Sequence, residues 1–203
     1  MSRPVAVSAE AGDLSLADIR ERVTALLARD AEAAFLRRAD LARYEAAREI
    51  VPGASYNARS GLVTLTGPRP VRGGPPVAVL SAGTADGPVA EEAVAALAAF
   101  GLPVERVADV GVAGLHRLLA ARPVLDRARV LLVVAGMDGA LPSVVARMTD
   151  RPVVAVPTSV GYGASFGGLA ALAAALTAGA PGLVTTGIDD GLGAAALAWR
   201  MLR

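Results

Sequence analysis

Five short stretches carry most of the residues able to do chemistry: SAGTADG (81–87), DVGVAG (109–114), AGMDGA (135–140), PTSVGYG (157–163) and TGIDDG (186–191). Each contains glycine, four contain aspartate, and the fifth is rich in hydroxyls. Glycine lets a backbone approach a ligand closely, and amides opening a following helix attract an anion such as phosphate. The combination suits a phosphate-bearing ligand. Ala82, Gly83 and Thr84 are placed to hold the phosphate, with Asp86 directed at a ribose hydroxyl or capping the helix that starts at GPVAEEA. Gly136, Met137 and Asp138 follow the most apolar run. Asp138 is there a partly desolvated carboxylate set against the ligand and fit for proton transfer, or the cap of the next helix. His116, the single histidine, is a candidate acid–base group or a polar helix residue. Ser159, Tyr162, Gly163 and Ser165 are expected to line a nucleotide site. Asp189, next to Asp190, is either a Mg²⁺ ligand or a turn residue.

Absences narrow the chemistry. The chain has no cysteine, and all 20 basic residues are arginine. Thiolate nucleophiles, Cys-ligated zinc, Schiff-base lysines and the P-loop lysine are therefore excluded. Net charge is +1 without a dense basic run, and 3% of residues are aromatic. Both features argue against a nucleic-acid partner. The hydrophobic fraction of 54% is enough for a sizeable core. The opening MSRPVAVSAEAGDL lacks the apolar centre of a signal peptide, and no stretch reads as a membrane span. A cytoplasmic protein without a membrane partner is expected.

The elements that must position these loops follow from periodicity. Residues 14–50 read as two helical runs, the second over about 31–50, ended by the breaker VPG at 51–53. GLVTLTG (61–67) suits a short strand, and PRPVRGGPP (68–76) a linker. Residues 1–74 are thus expected to form a mostly helical N-terminal region. From 75 to 203 apolar runs alternate with helical ones. Strands are predicted at 77–82, 104–107, 129–136, 152–157 and 182–187, and helices at about 88–101, 113–121, 140–149, 166–178 and 191–202. Five strand–helix units imply an α/β domain with a parallel sheet. All five loops then share the carboxyl edge, where such sheets bind ligands. The last two helices carry almost no charge, so both are expected to be buried between subunits of a homo-oligomer.

The segments SAGTADGPVAEEA, DVGVAGLHRLL, VVAGMDGALPSVVA and VAVPTSVGYGASFGGLAALAAAL resemble the LarB family of nickel-pincer nucleotide cofactor biosynthesis proteins, over about 77–193. LarB in turn resembles PurE, the aminoimidazole ribonucleotide carboxylase/mutase, in the Gly-Thr-x-Asp loop and in AGMDGALPS. The resemblance implies a flavodoxin-like three-layer fold and an octamer-type or smaller PurE-like assembly. It implies carboxylation of the pyridinium ring of nicotinic acid adenine dinucleotide with CO₂ or bicarbonate, and Mg²⁺-dependent cleavage of its phosphoanhydride to release AMP. It also implies a glutamate where Asp138 stands, and a cysteine that adds to the ring. The residue aligned with that cysteine is Gly179. The family's LDxHRxxRxGFPE stretch has no counterpart, since LARYEAARE runs directly into IVPGASYNARSG.

Three readings follow. The first is a LarB-like carboxylase with altered chemistry. The second is a PurE-like carboxylase, mutase or decarboxylase acting on a ring that is already electron-rich. The third is a nucleotide-binding subunit without catalysis.

Overall fold

A computed structural model describes residues 4–203; the first three residues of the N-terminal region lie outside the described residues. Nine strands and eight α-helices follow one another as β1 Ala6–Glu10, α1 Leu16–Leu27, β2 Ala33–Arg37, α2 Leu41–Ile50, β3 Ser55–Asn57, β4 Leu62–Thr64, β5 Val77–Ser81, α3 Gly87–Ala99, β6 Val104–Val107, α4 Leu115–Ala120, α5 Arg122–Arg127, β7 Val130–Ala135, α6 Ala140–Met148, β8 Val153–Pro157, α7 Leu169–Thr177, β9 Leu183–Thr185 and α8 Gly191–Met201.

The C-terminal elements form a five-stranded sheet in the order β6-β5-β7-β8-β9, parallel throughout. This is the flavodoxin-like order, whose direction of winding reverses between β5 and β7. Its central strands are fully buried because both faces are covered. Val77, Val79, Leu132, Val134, Val154 and Val156 face α3 and α8, while Ala78, Leu80, Leu131, Val133 and Val153 face α4, α5 and α6. The two sets alternate with the period of 2 that a pleated strand imposes.

The N-terminal region is not mostly helical, as its sequence suggests. It holds a second sheet, in the order β1-β2-β4-β3, with β1 parallel to β2 and the other pairs antiparallel. Residues 33–37, read as helix, form its strand β2, and β1 has no counterpart in the sequence reading. Alanine, leucine and arginine favour helix intrinsically, but burial on two faces overrides that weak preference. Ala33 and Phe35 face the core shared with α3 and α8, and Ala34 and Leu36 face α1 and α2. Phe35 meets Phe100 edge-to-face at 5.9 Å, and Phe100 lies against Trp199 of α8. The layers are therefore α1/α2, small sheet, α3/α8, large sheet, and α4–α7.

This arrangement corrects the expectation for α8. Its charge-free face is covered within the chain, where Ala194, Ala195, Ala198 and Trp199 join the core with α3. Helix α7 is different: it buries Ala171 and Ala175 and leaves Leu169 and Leu176 exposed.

If β2 is docked as described, Phe35→Ala should cost about 3–5 kcal/mol, read from chemical denaturation. A loss below about 1 kcal/mol would mean that the small sheet does not share this core.

Candidate functional site at the carboxyl edge of the large sheet

The loops after β5 and β7 flank the point where the winding reverses. They enclose a cavity of about 460 Å³ lined by Ala82, Gly83, Thr84, Asp86, Gly136, Met137 and Asp138, with Gly111, Val112, Leu141 and Val160. The backbone ties these loops together. Ala82 N–H donates to Val134 O (3.0 Å), Gly111 N–H to Ala82 O (3.0 Å), and Met137 N–H to Val160 O (2.9 Å).

Asp86 sits at the centre of this framework. It is 4% exposed. Its Oδ1 accepts hydrogen bonds from Gly136 N–H (3.1 Å) and Thr158 Oγ1–H (2.7 Å), and its Oδ2 accepts one from Gly83 N–H (2.8 Å). One carboxylate thus joins the ends of β5, β7 and β8 through neutral donors. It stands at the start of α3 but makes no side-chain cap there, and both of its oxygens take part in this framework. Gly136 fits the same frame. A Cβ there would stand 2.2 Å from Val160 O and 2.5 Å from Thr158 Oγ1, so only glycine allows the loops to meet.

Asp138 is the other carboxylate of the cavity. It is exposed, not partly desolvated as its sequence context suggests, because its loop stands at the rim. Its Oδ1 accepts from Ala140 N–H at 3.2 Å. The residue before it, Met137, holds φ 54°, which turns the loop outward. Asp138 and Met137 also line a smaller hollow of about 330 Å³ with Tyr162 and Ser165. Gly163 opens the 3₁₀ turn between those two residues, with φ 58°.

Ser159 lies in a neighbouring cleft of about 340 Å³ with Arg37, Arg38, Ser60, Glu92 and Asp189. Its amide donates to Asp189 Oδ1 at 2.8 Å. Among the described residues no three His, Cys, Asp or Glu side chains come together as a metal group. Asp189 belongs to no such group, and its Oδ1 is engaged by the Ser159 amide. His116 is exposed on α4 and lines none of these three spaces. Gly179 is exposed at the opposite, amino edge of the sheet, where its carbonyl accepts from Arg147 Nη2 at 2.9 Å.

Sequence reasoning missed Thr158, Arg37 and Arg38. Thr158 was detectable as a hydroxyl directly after the apolar run of β8. The arginines were hidden in a segment read as helix. Arg37 locks the two sheets together. Its Nε donates to Glu92 Oε1 (2.7 Å) and its Nη2 to Glu92 Oε2 (3.1 Å) and Asp189 O (3.0 Å). Burial works against the Arg37 charge. The hydrogen bonds and charge of Glu92, with Glu10 and Asp190, outweigh that burial and hold the guanidinium above its ordinary range. Glu92 Oε2 also accepts from Leu192 N–H at the start of α8 (3.1 Å).

Among the described residues no helix is long and apolar enough to cross a membrane. Residues 76–203 match the family described as AIR carboxylase. An uncharacterized protein of Methanocaldococcus jannaschii is 45% identical over 124 residues, which are 60% of this chain and 47% of that protein. The N5-carboxyaminoimidazole ribonucleotide mutase of the same organism is 36% identical over 131 residues, covering 62% of this chain and 78% of the mutase. The chain thus spans less than half the length of the first of these relatives.

Asp86→Asn keeps the shape of the side chain but turns an amide donor toward a donor already facing it. The change should lower stability by about 2–3 kcal/mol, measured by denaturant unfolding. A neutral result would remove Asp86 from its place as the tie between the three loops.

Proposed function

The chain belongs to the AIR carboxylase family, and from that premise we propose that it moves CO₂ onto or off a carbon of a nucleotide-linked heteroaromatic ring. The observation that carries this reading is the cavity at the switch point, walled by the glycine-bearing 81–87 loop on one side and on the other by the exposed carboxylate of Asp138, which accepts a single hydrogen bond from Ala140 N–H. The amides of Gly83–Asp86 and the start of α3 suit the phosphate of a ribonucleotide. Asp138 then stands beside the ring. In the carboxylating direction the ring carbon attacks CO₂, a C–C bond forms, and the proton leaving that carbon passes to Asp138. In the reverse direction Asp138 returns the proton as CO₂ departs.

The absence of cysteine favours an electron-rich ring. A pyridinium cannot attack CO₂ until a nucleophile has added to it, and this chain has no thiol to add. An aminoimidazole needs no such step, so aminoimidazole ribonucleotide or its carboxylated forms are the preferred substrates. The LarB-like reading, with nicotinic acid adenine dinucleotide and Mg²⁺, is kept as the second because the motifs around VAGMDGALPS and VGYGASFGG resemble that family. The test runs both substrates with labelled bicarbonate and follows label entering the ring product. AMP release with the dinucleotide alone would favour the second reading. Binding without turnover of either would leave a nucleotide-binding subunit and overturn the enzyme assignment. With the substrate that turns over, Asp138→Asn should lower kcat by about 100-fold or more with little change in KM.

Self-association belongs to the same reading. Tyr162, Phe166, Leu169 and Leu176, along one turn and α7, are all more than half exposed, and clustered exposed apolar side chains suit a subunit contact. Light scattering should show an oligomer, and Leu176→Arg should shift it toward smaller species.

A further inference from the structure

Among the described residues, Arg38, Asp109, Met137, Phe166 and Asp189 hold positive φ without being glycine. Such backbone is uncommon for residues with side chains and gathers at functional sites. Arg38, Met137 and Asp189 all line adjoining spaces. The cleft that holds Arg38 and Asp189 shares Ala85 and Val160 with the switch-point cavity, so it continues that cavity past the start of α3.

Arg37 and Arg38 are the cations that line this run; the guanidinium of Arg59 lies beside Gly87 outside it and is 3.9 Å from Glu91. Arg37 is fully committed: its side chain is 15% exposed and bound to Glu92. Arg38 is not committed in this way. Its side chain is 67% exposed, and its contact with Glu10 is a loose one of 3.4 Å. The carboxylates of the cleft do not compete strongly for it. Glu92 is neutralised by Arg37 and bonded to Leu192 N–H, and Asp189 Oδ1 accepts from Ser159 N–H.

We propose that Arg38 is a ligand-binding residue whose guanidinium closes over the phosphate held at the start of α3. The small N-terminal sheet, which lies outside the AIR carboxylase match, thereby completes the site. The inference rests on the reading above that the ligand is a nucleotide. A guanidinium presents a fork of donors matched to phosphate oxygens. The start of α3 offers amides and a partial positive charge to the same group. The left-handed backbone of Arg38 carries the chain out of β2 at the mouth of the cleft, where a continued strand would end with Arg37.

Calorimetric titration of the full chain tests this with three probes: aminoimidazole ribonucleotide, its dephosphorylated riboside, and ribose 5-phosphate. Arg38→Ala should weaken both phosphorylated probes about tenfold or more and leave the riboside unchanged. Arg38→Lys should recover part of the loss. Added salt should weaken binding to the native chain more than to Arg38→Ala. Arg38→Gly suits the left-handed backbone and gives the same answer if the alanine variant folds poorly. Unchanged affinity for the phosphorylated probes, or an equal loss for the riboside, overturns the proposal. Ribose 5-phosphate binding that depends on Arg38, without binding of aminoimidazole ribonucleotide, sustains the proposal and overturns that choice of ring. Loss of turnover in Asp138→Asn beside unaltered affinities in Arg38→Ala does the reverse. Binding of no probe overturns both.

Discussion

One buried carboxylate organises the carboxyl edge of the large sheet. Asp86 has left the sheet surface and turned inward, where it gathers donors from three loops that are 50 and 72 residues apart in sequence from it or only three away. A buried carboxylate is costly unless its oxygens are satisfied, and here three donors satisfy it. The consequence reaches the ligand side. Because Asp86 bonds to Gly83, Gly136 and Thr158 together, the 81–87 loop and the loop that carries Asp138 are tied across the cavity. Asp138 stands exposed at the rim in front of that frame.

A charge pair, Arg37 with Glu92, plays the corresponding part between the two sheets. Arg37 ends β2, and Glu92 lies on α3, so their paired hydrogen bonds join the small sheet to the helix that follows the 81–87 loop. Such a pair contributes little net stability, since desolvation offsets its attraction, but breaking one partner is severe. Its value is geometric. The apolar contacts of Phe35 with Phe100 would tolerate small shifts of the sheet, whereas a fork of hydrogen bonds fixes orientation. Helix α8 is held by the same glutamate through Leu192 N–H. Both helices between the sheets are thus oriented from one side chain.

The Asp86 cluster and the Arg37–Glu92 pair explain what could be read from the sequence and what could not. After residue 76 the five predicted strands and five predicted helices fall within a few residues of their limits, because apolar runs alternate with amphipathic ones between loops rich in glycine, while the short helix α5 was not predicted. The five loops followed from that order, and so did the gathering of Gly83, Thr84, Gly136 and Asp138. Strand β2 was misread because AAFLR carries helix-favouring residues, and only contact with two other layers makes it a strand. For Asp86 the sequence offered a cap or a ribose contact, since nothing local shows that Thr158 donates to it. The exposed position of His116 likewise depends on how α4 is rotated, which spacing does not reveal.

The missing thiol gains meaning from where it is missing. Gly179 precedes β9 at the amino edge, while the cavity opens at the carboxyl edge of the same sheet. A Cβ at Gly179 would meet only Arg147 Nη2, at 3.8 Å, so the backbone there does not require glycine. The lack of a side chain is therefore not forced by packing. In the proposed reaction Asp138 accepts a proton but does not make a pyridinium electron-rich, and Asp86 is engaged by three donors. Under the proposed function, with no thiol in the chain, the electrons for a bond to CO₂ come from the ring itself. An amino-substituted heteroaromatic suits that proposal better than a cationic one.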